Sequence, residues 1–127
     1  MTEARSLWQC EFPLSFSVPD GIMRLVRQGY LEETSYRHDV CPSFGKEAMD
    51  GSYLKLWVGH PDPEHESRVE GCETRFAIEV RPKGSWEDEA AAEPFWAGED
   101  EAEAEQRIME ALRAHGGPRR RLYLAQG

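Results

Sequence analysis

Residues 53–58 read Tyr-Leu-Lys-Leu-Trp-Val, and residues 74–81 read Thr-Arg-Phe-Ala-Ile-Glu-Val-Arg. In each stretch every second residue is apolar. Leu54, Leu56 and Val58 fall on one side of the first, Phe76, Ile78 and Val80 on one side of the second. A period of two is the mark of a half-buried strand. The polar residues between them, 59–73, include Pro61 and Pro63 and are too many for a tight turn. The two strands are therefore predicted to pair antiparallel through a long hairpin loop. Pro82 and Gly84 end the second strand.

Upstream, Trp8, Cys10, Phe12, Leu14 and Phe16 alternate with Gln9, Glu11, Pro13 and Ser15. This predicts another strand, and Pro13 sends it to a sheet edge or a bulge because proline cannot donate a ladder hydrogen bond. Ser17, Pro19 and Asp20 are residues that start helices, Ile22, Leu25 and Val26 follow at helical spacing, and Gly29 stops the run, so a helix is expected over 19–28. Residues 32–52 carry Pro42, Gly45 and Gly51 and read mostly as loop, with 34–40 the part able to extend.

Downstream, residues 87–93 suggest a turn of helix and 94–97 a short strand. Ala104, Ile108, Ala111 and Leu112 give a helix over about 100–115 its buried stripe. Acids cluster in its first turns, Arg113 and His115 sit in its last, and Gly116-Gly117-Pro118 stops it. Leu122-Tyr123-Leu124 reads as a last strand or an arm. The expected fold is α+β: a two-layer sandwich of a mainly antiparallel sheet with two helices on one face. Its order would be that of a ferredoxin-like plait, β-α-β-β-α-β with a long inserted loop, if the last strand forms.

The 127 residues suit one domain, 1–127. Four Trp, four Tyr and five Phe supply large buried areas, and the formal charge is −9. That charge repels phosphate backbones and anionic lipid, which argues against nucleic acid or membrane partners. Arg119, Arg120 and Arg121 read as complements to a helix C-terminus. No apolar run reaches the roughly 18 residues of a membrane span, and Glu3, Arg5 and Glu11 interrupt any leader. Cys10, Cys41 and Cys72 are odd in number and widely spaced, unlike a disulfide framework, which points to a reducing, cytoplasmic setting. The excess of Arg over Lys gives a bacterial-like composition.

Reactive side chains concentrate in the two long polar connections. In the first, His38 and Cys41 suit a nucleophile–base pair, with Asp39 or Asp62 to orient the imidazole and Arg37 to favour the thiolate. In the second, His60, His65 and Cys72 are weak zinc-type ligands, since their spacing matches no tight metal motif. A six-residue strand would hold the two connections roughly 20 Å apart. Tyr36, Arg37 and Ser43, with Tyr53 and Trp57 on the far side of the first strand, form a set suited to binding without chemistry. The acids from Glu87 to Glu105 read as a solvated face, or as a decoy for a basic partner. The expectation is a binding or protein-interaction module with a protein partner or self-association as a homodimer, a small-molecule ligand being compatible, and no cofactor. The alternative is a small enzyme using the His/Cys loop or a bound metal.

Overall fold

The computed structural model describes residues 12, 16–34, 41–85 and 89–119. Its elements are helix α1 (Asp20–Arg27), strands β1 (Glu32–Glu33), β2 (Ser43–Glu47) and β3 (Tyr53–Val58), a short helix α2 (Glu66–Glu70), β4 (Phe76–Arg81), a 3-10 turn (Glu89–Ala91), β5 (Glu93–Gly98) and helix α3 (Glu101–Ala114). The strands bond in sequence order, each antiparallel to the next, as an open meander.

The alternation in the two central strands fixes the inner face. Leu54 lies opposite Val80, Leu56 opposite Ile78 and Val58 opposite Phe76, and β2 adds Phe44 opposite Leu56. Helix α3 lays Ala104, Ile108, Ala111 and Leu112 on β3, β4 and β5, and α1 adds Ile22 and Leu25 beside it. Both helices thus share one side of the sheet, giving a two-layer α+β arrangement. The Asp100 carboxylate caps α3 by accepting from the backbone N–H groups of Ala102 and Glu103, at 2.9 and 3.4 Å, which also sets a negative charge at the positive helix end. Gly116, at φ 95°, turns the chain out of the helix.

Several expectations need correction. Residues 43–47 form a full central strand where Pro42 and Gly45 suggested loop. The ring of Tyr53 crosses the sheet directly over Gly45, and a Cβ there would overlap the Tyr53 hydroxyl. The glycine is a packing requirement inside the ladder, not a turn signal. The ferredoxin-like order does not describe these strands, because a plait needs crossovers and every described strand bonds its sequence neighbour. The expected strand over 8–16 lies outside the described residues except for Phe12 and Phe16, both buried, as does the arm at 122–124. Before that arm, Pro118 bridges to Ala48. In β5, Ile78 pairs with Trp96 while Glu79 pairs with Pro94, so Phe95 is the extra residue of a bulge, its side chain 38% exposed. Among the described residues no helix is long and apolar enough to cross a membrane.

Ile108 is completely buried in the layer interface. Ile108→Ala is expected to cost about 2–5 kcal/mol, whereas Phe95→Ser should change stability by about 0.5 kcal/mol or less. Urea denaturation of both variants checks this; comparable losses would contradict the assigned core.

Candidate functional site

The sheet face away from the helices carries Tyr53, Lys55 and Trp57 from β3, which pair in register with Arg81, Glu79 and Ala77 of β4. The Trp57 indole Nε1 donates to Glu79 Oε1 at 2.8 Å, and Arg81 Nη2 donates to the same oxygen at 3.0 Å. Lys55 Nζ lies 4.4 Å from the centre of the Trp57 ring, a cation–π contact. The indole is thus fixed at its edge and on one face. Beside it, where the bulge bends β5, a groove of about 280 Å³ opens between Trp57, Ala77, Glu79, Ala92, Pro94 and Ala97.

At the Val58 end of β3 a second, smaller apolar cluster forms. Phe12, Phe16 and Cys41 are buried together, with Trp57 and Cys72 packed against them. Cys41 and Cys72 are joined in a disulfide across 31 positions of sequence. The His60 and His65 rings stack nearly parallel with centroids 3.8 Å apart, and Phe16 stands edge-on to both, at 4.8 and 5.4 Å. His60 Nδ1 accepts the Asp62 N–H at 3.0 Å, which leaves the ring proton on Nε2. That nitrogen is buried and finds no hydrogen-bond partner among the described residues. Burial pushes the His60 pKa down, and the charges of His65, Arg75 and Arg68 add to the shift while Asp62 opposes it.

Two buried arginines tie this end together. Arg68 Nε donates to the His60 carbonyl at 2.7 Å, and its two Nη groups reach the Glu99 carboxylate, each at 3.2 Å. Arg75 donates to the Gly59 carbonyl and, at 3.0 Å, to the Ser17 carbonyl. Its backbone N–H reaches Glu99 Oε2 at 2.8 Å. Burial works against the ionised Glu99, but hydrogen bonds from the Arg75 backbone and the Arg68 side chain outweigh it, and its pKa lies below the ordinary value. The sequence offered no signal for this clamp beyond two cations flanking Cys72 in an acidic chain.

Tyr36, Arg37, His38 and Asp39 lie outside the described residues. Ser43 is buried, its hydroxyl 2.9 Å from that of Thr34. Tyr53 and Trp57 stand on the outer face, as expected. The expectation of unpaired cysteines is corrected: with Cys41 and Cys72 bridged, the thiolate required by a His38–Cys41 nucleophile pair is missing. The His60, His65 and Cys72 metal set fails for the same reason, and stacked parallel rings cannot aim their in-plane lone pairs at one ion. Among the described residues no group of three ligand-type side chains could hold a metal. The two connections do meet, because β2 runs antiparallel to β3 with Ser43 opposite Trp57, returning residue 41 to the end of β3 where residue 59 departs. As for the decoy, Glu105 pairs with Arg24 at 2.9 Å and Glu103 with Arg107 at 3.2 Å, so these acids already have partners.

Comparison with protein-family models, curated proteins and solved structures gives no match, so this end of the molecule is read from its own chemistry. Arg75→Leu strands the Gly59 and Ser17 carbonyls, and its expected loss is about 1–3 kcal/mol. The solvent-accessible ion pairs of Arg107 are screened, so Arg107→Leu should lower the unfolding midpoint much less; equal unfolding midpoints for the two variants would refute the clamp. His60 supplies a pH signature. The unfolded chain takes up a proton near pH 6.5 and the folded chain only at lower pH. Stability should therefore be full above that value and fall as pH drops through the interval below it. In thermal melts from pH 7.5 to 4.5, His60→Gln is expected to show a shallower decline than wild type; parallel curves would remove His60 as the cause.

Proposed function

We propose that this chain is a binding module whose recognition surface is the outer face around Trp57, with a protein partner as its ligand. The observation that carries the reading is the fixed indole beside an apolar-walled groove. Trp57 is held in plane by Glu79 and covered on one face by Lys55, so ordering it on binding costs little entropy. Aromatic anchors of this kind dominate the energetics of recognition surfaces. Pro94, Ala92, Ala97 and Ala77 give the groove small, shallow walls, which suit a side chain or a short extended segment better than a substrate enclosed for chemistry. The charge of −9 favours a basic partner over nucleic acid or an anionic membrane. Self-association through the same face is the second form of the reading. Among the described residues no strand bonds the outer edge of β5, and Phe95 is exposed beside it, which favours that form.

The alternative, a thiol enzyme or metal enzyme, has less support, because in the bridged form Cys41 and Cys72 offer neither a thiolate nor a ligand. The cytoplasmic setting rested on unpaired cysteines. With Cys41 and Cys72 bridged, a compartment that tolerates disulfides suits the chain equally.

The test is site-specific photocrosslinking in the native host. A benzophenone side chain at Ala97, exposed beside the groove, is compared with one at Arg113, exposed on α3 at the opposite side of the molecule. A discrete adduct is expected at position 97 and not at 113, and it should disappear with Trp57→Leu while the circular dichroism spectrum is retained. Adducts of equal yield at both positions, or an adduct indifferent to Trp57, would overturn the assignment.

A further inference from the structure

Trp57 belongs to two assemblies at once. It lines the groove with Ala77 and Glu79, and it packs against the small cluster of Phe12, Phe16, Cys41 and Cys72. Cys41 is completely buried whereas Cys72 is only partly covered. The connection 59–73 is anchored independently of sulfur, by Arg68 on the His60 and Glu73 carbonyls and on Glu99, and by Arg75 on the Gly59 carbonyl. Opening the bridge would therefore leave that connection in place, with Phe16 still edge-on to His60 and His65, and release Cys41 where it bears with Phe12 on Trp57.

We infer that the Cys41–Cys72 bridge is a thiol-exchange site that sets the position of Trp57, and with it the shape of the groove. Its use in recognition rests on the binding reading above; the exchange and its effect on Trp57 do not. The co-reactant is a dithiol. One of its thiolates attacks the more accessible Cys72 Sγ, the bridge breaks, a mixed disulfide forms on Cys72, and Cys41 departs as a thiolate that takes up a proton. The second thiol of the reagent then attacks its own sulfur in the mixed disulfide, closing a disulfide within the reagent and releasing Cys72 as a thiol. Two electrons and two protons pass to the pair. Cys41 is expelled into an apolar cluster, where burial disfavours a thiolate. Exchange is accordingly slow while Cys41 stays packed in the cluster and proceeds as its side chain shifts there, which couples the redox step to the packing on Trp57.

The experiment uses the full chain carrying Cys10→Ser, so that one cysteine pair remains, and dithiothreitol as the dithiol. The Trp57 indole N–H resonance, assigned with Trp57→Phe, is followed in the bridged and reduced protein. Reduction is expected to shift this resonance and to speed exchange of its proton with solvent by about tenfold, while the methyl resonances of Ile108 and Leu112 stay in place. Iodoacetamide should label Cys72 before Cys41 during partial reduction. The further variant Cys72→Ser should reproduce the shift without reductant. An unmoved Trp57 resonance after complete reduction would overturn the inference. So would simultaneous collapse of the Ile108 and Leu112 resonances, since the bridge would then be a global staple. A missing adduct at position 97 with the Trp57 response intact would strike the binding reading alone.

Discussion

Arg68, Arg75 and Glu99 hold the disulfide end of the molecule in one piece. The Arg68 guanidinium side chain is only 4% exposed, while its carboxylate partner stands at the surface. Desolvating a guanidinium is costly unless its donors are satisfied; Arg68 spends its donors on backbone carbonyls and the Glu99 carboxylate, Arg75 on backbone carbonyls and the Ser17 hydroxyl. Those carbonyls belong to Ser17, Gly59, His60 and Glu73, which come from three separate stretches of chain. Glu99 accepts from both arginines and sits at the end of β5 just ahead of the Asp100 cap of α3. One ion-paired knot thereby joins the entry to α1, the connection between β3 and β4, and the start of the main helix.

The sheet divides the molecule's tasks between its faces. Its helix-covered side is built mainly from buried aliphatic and aromatic side chains whose removal leaves cavities. Its other side mixes aromatic rings with paired charges, an arrangement that packs less tightly and is placed by hydrogen bonds. Trp57 stands where the second side meets the disulfide cluster, so a bond formed between residues 41 and 72 bears on a side chain of β3. The stacked imidazoles add a dependence on protonation at the same place, because a charged His60 would face His65, Arg68 and Arg75 with Asp62 alone to offset them. Stability at this end is thus tied to chemistry that the helix-covered core does not experience.

The elements legible in the sequence were those with a strong local pattern. Leu54, Leu56 and Val58, then Phe76, Ile78 and Val80, announced β3 and β4 together with the face each would bury. The stripe of Ala104, Ile108, Ala111 and Leu112 announced α3 almost to its ends, because capping, dipole and stop signals agreed with the periodicity. Strand β2 was hidden because Gly45 carries turn chemistry in a local reading, and the need for it comes from a Tyr53 ring that arrives from another strand. The candidate site was legible to the extent of Tyr53 and Trp57, whose alternation placed them opposite the core. Cys41 and Cys72 were recognised as reactive but not as partners, since spacing in sequence gives no measure of distance once β2 doubles back beside β3.

The sequence by itself determined the class of fold, the inner face of its sheet, its principal helix and the strongly acidic surface, because each follows from periodicity or composition within a few residues. Only the tertiary structure decided the cysteine pairing, the stacking of His60 on His65, the arginine clamp on Glu99 and the groove beside Trp57. These depend on contacts between residues 16 to 58 positions apart in several cases, where local propensity carries no information and the return path of β2 sets who meets whom.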